Sequence, residues 1–111
     1  MSAFYEAVFG LKRTHMDSSF AVLESPVAEW VVVSVPKDVA SGIELATPPA
    51  LRTGTPIKLV FPVRSIAACR AAAERLGGGF NPPDKQWEFN GAVVCDGFDP
   101  EGNVVQAREP A

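Results

Sequence analysis

Asp99-Pro100-Glu101-Gly102-Asn103-Val104-Val105-Gln106-Ala107-Arg108-Glu109 is the stretch on which the reading of this chain turns. Pro100 presets φ at the second position of a turn, Gly102 tolerates the positive φ that a following bulge needs, and Asp99 can bond the backbone ahead of it. The turn is fixed by its own chemistry and feeds directly into a strand. Side chains along that strand alternate, so Val105 and Ala107 share a face that suits a packed helix. Val104, Gln106 and Arg108 share the other, which suits a polar-lined cavity. Function is expected on this second face.

Upstream of the turn, Ile57 to Val63 predicts a strand. A helix follows, with Ser65 as N-cap, Ile66, Cys69, Ala73 and Leu76 at helical spacing, and Gly77 as stop. Gly77-Gly78-Gly79 and Pro82-Pro83 mark a loop, Gln86-Trp87-Glu88-Phe89 is extended, and Asn90-Gly91 turns into a strand over Ala92 to Asp96. The second half therefore reads β, α, β, β, β.

The first half begins with a short helix over residues 3 to 9, capped by Ser2 and stopped by Gly10. Strands are expected at 11 to 17, 19 to 24 and 29 to 35, the last apolar on both faces through Trp30-Val31-Val32-Val33 and therefore central. Residues 36 to 56 hold four prolines and two glycines, which predicts a crossover with at most a helical turn near Asp38 to Ser41 and an extended piece at Ile43 to Ala46. The halves repeat: Ala21-Val22-Leu23-Glu24-Ser25 aligns with Ala92-Val93-Val94-Cys95-Asp96, and Trp30 to Pro36 aligns with Val104 to Pro110. By this symmetry the first half lacks one strand, the counterpart of Ile57 to Val63.

At 111 residues the chain is expected to be one domain, burying roughly 65% of its unfolded surface. Module one spans about 1–36, the crossover about 37–56 and module two about 57–111. The composition, 47% hydrophobic and 21% charged, is that of a soluble globule, without the roughly 18 consecutive apolar residues of a membrane span. A formal charge of -3 gives no electrostatic reason to bind nucleic acid or an anionic membrane. No secretory signal is legible and the two cysteines are far apart in sequence, so both thiols are expected reduced in a cytoplasmic protein.

Three stretches, Phe4-Tyr5-Glu6-Ala7-Val8-Phe9-Gly10-Leu11, Ile57-Lys58-Leu59-Val60-Phe61-Pro62-Val63 and Asp99-Pro100-Glu101-Gly102-Asn103 with its strand, together with the paired pattern, resemble the vicinal oxygen chelate superfamily. That group includes glyoxalase I, bleomycin-resistance proteins and extradiol dioxygenases. The resemblance covers nearly the whole chain. It implies an α+β fold of two βαβββ modules, the first strand of module one missing, whose sheets curve into a cup with helices outside. In metal-using members the ligands come from the first and fourth strands of each module. The resemblance puts Val32, Lys58 and Gln106 at three of those positions and leaves the fourth without a strand. Valine cannot ligate, a protonated lysine repels a cation and a neutral amide is a poor substitute for a carboxylate, so no metal and no cofactor are expected. Glu44 in Ile43-Glu44-Leu45 is a conceivable shifted ligand, but that alignment discards the better repeat match.

Lys58 and Gln106 on the cup face would give a cation and an amide pointing at a ligand carboxylate, carbonyl or phenolate, against the plainer reading of solvated strand residues. Arg52 could close over the same ligand, though loop arginines are commonly just exposed. Trp87 with Phe89, and Trp30 from module one, could stack on a ligand; such aromatics more often serve a core or dimer contact. Cys95 completes the ligand-binding candidates. As a nucleophile it lacks an assignable base, and the lone His15 falls on an edge strand. Glu24, Asp96 and Asp99 are conceivable paired carboxylates, with nothing in their spacing to favour acid-base work.

The leading expectation is a metal-independent small-molecule binding protein of the bleomycin-resistance-like kind, acting by sequestration without bond chemistry. One alternative is an enzyme of the same superfamily, a lyase, isomerase or dioxygenase with a non-standard site. Another is a remnant whose remaining capacity is assembly. An open edge at the missing strand further predicts a homodimer, unless Ile43 to Ala46 folds back to fill the vacancy.

Overall fold

The computed structural model describes residues 1–111. Its elements are α1 (Ser2–Phe9), β1 (Lys12–Met16), β2 (Phe20–Glu24), β3 (Glu29–Val33), α2 (Lys37–Ala40), β4 (Leu59–Pro62), α3 (Ile66–Arg75), β5 (Gly79–Phe80), a 3-10 turn at Pro83–Lys85, β6 (Trp87–Phe89), β7 (Ala92–Phe98) and β8 (Val104–Pro110). Sheet one has three antiparallel strands in the order β1-β2-β3, and sheet two runs β4-β8-β7-β5 with β6 also on β7. This is an α+β fold. The second module is complete, with its second strand divided into β5 and β6 by the Pro82-Pro83 turn, since proline has no N–H for the ladder. No strand lies outside β3, and Ile43 to Ala46 forms none.

Local chemistry accounts for the helix ends. Ser65 Oγ accepts the Ala68 N–H at 3.0 Å, as expected of an N-cap. At α1, Ser2 is itself the first helical residue and Met1 stands at the cap position with no side-chain bond, which moves the helix start one residue ahead of the expectation. Gly10 ends α1 in the left-handed conformation with φ 66, where a side chain would be strained. Both helices pack on the same side of the sheets. Leu23, Phe61 and Val105 are fully or almost fully buried there, each such burial contributing about 1.5–3 kcal/mol.

Phe61 of β4 joins the two sheets: its ring stacks on Phe9 at 4.1 Å and lies 5.1 Å from Trp30 of β3. The turn between β7 and β8 is built as its residues require. Asp99 is buried and accepts the N–H groups of Glu101 at 2.9 Å and Asn103 at 3.0 Å, the Asn103 amide at 2.9 Å and the Tyr5 hydroxyl at 2.7 Å. Gly102 sits at φ 85, and a Cβ there would run into the Ala50 carbonyl. The crossover lies against this turn, with Arg52 N–H donating to Gly102 O at 2.8 Å.

The repeat alignment is off by one residue. In β2, Ala21 and Leu23 face the helices, whereas in β7 it is Cys95, opposite buried Ala107, that does so, and Asp96 lies opposite Gln106 on the other face. A slip of one residue inverts every side chain. Val32 therefore packs with Trp30 against the core, and the open face of β3 carries Val31 and Val33 instead. Both are valines, so the mispaired position changes no donor.

Candidate functional site on the open face of sheet two

Pairing registers fix which side chains share the face turned away from the helices. Asp96 is opposite Gln106, Val94 opposite Arg108 and Trp87 opposite Val94. In the parallel pair, Val60 is opposite Gln106. Lys58, immediately ahead of β4, lies on the same side as Val60 and reaches across β8: its Nζ is 2.9 Å from Asp96 Oδ2. Gln106 Nε2 donates to Asp96 Oδ1 at 3.1 Å. One carboxylate thus holds an ammonium and an amide side by side, both partly exposed to solvent. Trp87 and Phe89 form an aromatic flank on β6, with Arg108 above the Phe89 ring at 5.5 Å from its centroid.

Of the six ligand-binding candidates, Lys58, Gln106 and Trp87 share this face and the other three do not. Trp30 lies on the helix side, against Phe61. Arg52 is tied to the β7–β8 turn, its Nε donating to Glu101 O at 3.2 Å. Cys95 is completely buried in the core. Burial raises its thiol pKa despite the opposing Arg70 guanidinium, so a thiolate is disfavoured. Cys69 is buried and raised for the same first cause, and both cysteines are free thiols. His15 is exposed on β1 and bonded to Asp17 at 2.7 Å, remote from Cys95 in the fold. Asp96, the hub of the cluster, and Arg108 were not among the ligand-binding candidates. The signal for Asp96 was present: counting outward from Asp99 and Asn103 pairs Phe98 with Val104 and therefore Asp96 with Gln106.

The arrangement does not suit a divalent metal. No group of three or more His, Cys, Asp or Glu side chains gathers anywhere in the chain, and the single carboxylate of this face is bonded to an ammonium. A cleft of about 570 Å³ lies at the end of this face away from Lys58, bounded by Pro62, Ala92 and Arg108, and others lie elsewhere. One of about 550 Å³ is walled by Val33, Val35 and Ile43 under the crossover, with Arg52 and Glu101 at its edge. A narrower one of about 280 Å³ lies between β3 and β4, bounded by Trp30, Val31 and Leu59. Glu24 and Asp99 stand apart from Asp96, Asp99 being consumed by its turn and by Tyr5. Burial first, and the bond to Asp99 second, hold the Tyr5 phenol far above its ordinary pKa.

No protein-family model matches the chain, and no curated protein matches it in sequence. Solved structures do match in three dimensions. A glyoxalase/bleomycin resistance protein/dioxygenase family enzyme from Burkholderia phytofirmans PsJN is 20% identical, with a TM-score of 0.68 over 100% of this chain and 88% of that one. A glyoxalase/bleomycin resistance protein from Albidiferax ferrireducens T118 is also 20% identical, with a TM-score of 0.66 over 98% of this chain and 86% of that one. The fosfomycin resistance protein FosX from Listeria monocytogenes, complexed with Mn(II) and sulfate, is 12% identical, with a TM-score of 0.64 over 99% of this chain and 78% of that one. The chain has the glyoxalase/bleomycin-resistance/dioxygenase fold. No helix is long and apolar enough to cross a membrane.

Proposed function

We propose that this chain is a cytoplasmic, metal-independent binding protein that holds a small organic molecule on the open face of sheet two. The observation that carries the reading is the bridge from Asp96 to Lys58 and Gln106. It fixes two flexible side chains in place before any ligand arrives, which reduces the entropy lost on binding. An ammonium has three N–H groups and an amide has a carbonyl besides its NH₂. Donors and an acceptor therefore remain for a ligand oxygen and its neighbouring hydroxyl or N–H. Asp96 neutralises Lys58, so the site favours a polarised carbonyl, phenol or singly charged carboxylate over a multiply charged anion. Trp87 beside Val94 supplies a flat apolar wall for the body of such a molecule.

Lys58 and Asp96 are the groups of this face able to exchange a proton, and they are bonded to each other; the reading gives them the task of holding a ligand. The test is a screen of aromatic carboxylates and phenols by calorimetry, followed by Lys58→Met. The variant is expected to weaken a hit by about 1–3 kcal/mol, the range for losing a hydrogen bond in a desolvated site. Its thermal stability should shift little, because a half-exposed ion pair contributes only about 0–1 kcal/mol. Unchanged affinity overturns the assignment of Lys58. Binding that requires one transition metal per chain overturns the metal-independent reading.

A further inference from the structure

The open face of sheet two treats its cations in two ways. Lys58 at one end is neutralised by Asp96. At the other end a cleft of about 570 Å³ is bounded by Pro62, Arg64, Asn90, Gly91 and Arg108, and no carboxylate lines it. Pro62 is the partner of Arg108 across the β4–β8 pair, so the two share this face, and Arg64 lies two positions further along the row of Val60 and Pro62. Neither guanidinium meets a carboxylate: the ion pairs of the chain join Arg13 to Glu6, His15 to Asp17 and Lys58 to Asp96. Glu109, next in sequence to Arg108, is turned toward α3, where it accepts the Ile66 N–H at 2.7 Å.

The cleft is also organised before anything enters it. Arg108 Nη2 donates to Phe89 O at 3.3 Å, and the guanidinium carbon stands 5.5 Å from the centroid of the Phe89 ring. These contacts hold the side chain in place and leave most of its N–H donors unused. Asn90 and Gly91 form the two-residue loop between the paired Phe89 and Ala92. Their φ angles of 49 and 73 are the left-handed pair of a tight hairpin turn. The backbone N–H of neither residue donates to an acceptor within the chain. Amide and guanidinium donors thus line one cleft with no acidic side chain among them.

We propose that this cleft binds a doubly charged oxyanion of the phosphate type between Arg64 and Arg108, at a place separate from the Lys58, Asp96 and Gln106 cluster. The charge of the ligand follows from the charge of the walls. Two guanidiniums without a counter-charge are balanced by a dianion and only half balanced by a single carboxylate. The geometry of the donors points the same way, since the planar fork of an arginine matches a pair of phosphate oxygens. Arg108 is the fixed donor, and Arg64, at the exposed rim, is the adaptable one. Holding the first in advance reduces the entropy lost when the anion binds.

Inorganic phosphate is the probe, titrated at constant ionic strength into the isotopically labelled full chain with no other ligand present, so the result does not depend on the role assigned to Lys58. Saturable shifts of the Asn90 and Gly91 amides and of the Arg108 Nε–H are expected at about millimolar phosphate. Arg64→Gln and Arg108→Gln should each weaken binding about tenfold, the loss of one charge-assisted contact. Arg108→Lys should recover only part of that loss, because an ammonium lacks the planar fork. Arg75→Gln removes an exposed arginine from the last turn of α3 and should leave the affinity unchanged. Acetate should bind about tenfold more weakly than phosphate. Shifts that grow without saturating overturn the proposal, as does equal affinity in the native chain and Arg64→Gln. Equal affinity for acetate and phosphate removes the dianion. A loss in Arg75→Gln as large as in Arg64→Gln assigns the effect to net charge and overturns the site.

Discussion

Sheet one and sheet two are built from the same order of elements, and they differ by one strand. In sheet two, β4 covers the edge of β8, and the β7–β8 ladder runs unbroken from Ala92 opposite Pro110 to Phe98 opposite Val104. In sheet one nothing covers β3, every residue of β1 is exposed, and the β1–β2 register shifts between Arg13 and His15. The difference teaches where a polar cluster can form. Lys58 reaches Asp96 because the start of β4 delivers it beside β8. Sheet one has no strand in that place and presents Val22, Val31 and Val33 instead, so only one half of the fold carries the candidate site.

The largest expected effect tests what ties the weaker sheet to the stronger. Phe61→Ala removes the ring between Phe9 and Trp30 and should cost about 3–5 kcal/mol. Amides of β2 and β3 should then exchange faster than those of β7 and β8 by hydrogen exchange, because sheet one loses its anchor. An equal acceleration in both sheets would break the distinction between them.

Tyr5→Phe probes the link from α1 to the β7–β8 turn. Losing the bond to buried Asp99 should cost about 1–3 kcal/mol in denaturant melts at neutral pH. The folded phenol is held above the unfolded value of 10.0, so its contribution is complete below that pH and declines as pH rises past it. The native chain should lose stability on the alkaline side, and Tyr5→Phe should flatten that limb. A parallel alkaline decline in both proteins would assign it to other groups.

The smallest effect lies in sheet one. Asp17 is held below its ordinary pKa by His15 first and by the Ser19 and Phe20 N–H groups after it. A lowered folded pKa gives stability that is present above the unfolded value of 3.8 and lost as pH falls through the folded one. Asp17→Asn should make the thermal midpoint less sensitive to acid in that window. Sensitivity equal to that of the native chain would remove the turn from the account.

Local sequence determined much of this protein. Ser65 caps α3, Gly10 ends α1, and Asp99, Pro100 and Gly102 set the last turn, because caps and turns depend on residues within a few positions of one another. Tertiary structure decided the faces. Trp30, Val32 and Cys95 turn inward because pairing parity and contact with Phe61 and the helices place them there, and sequence alignment of the two halves slipped by the one residue that inverts a strand. It also decided that Lys58 meets Asp96, 38 positions away: a bond across β8 depends on which strands lie side by side, and that is set by the packing of the whole chain.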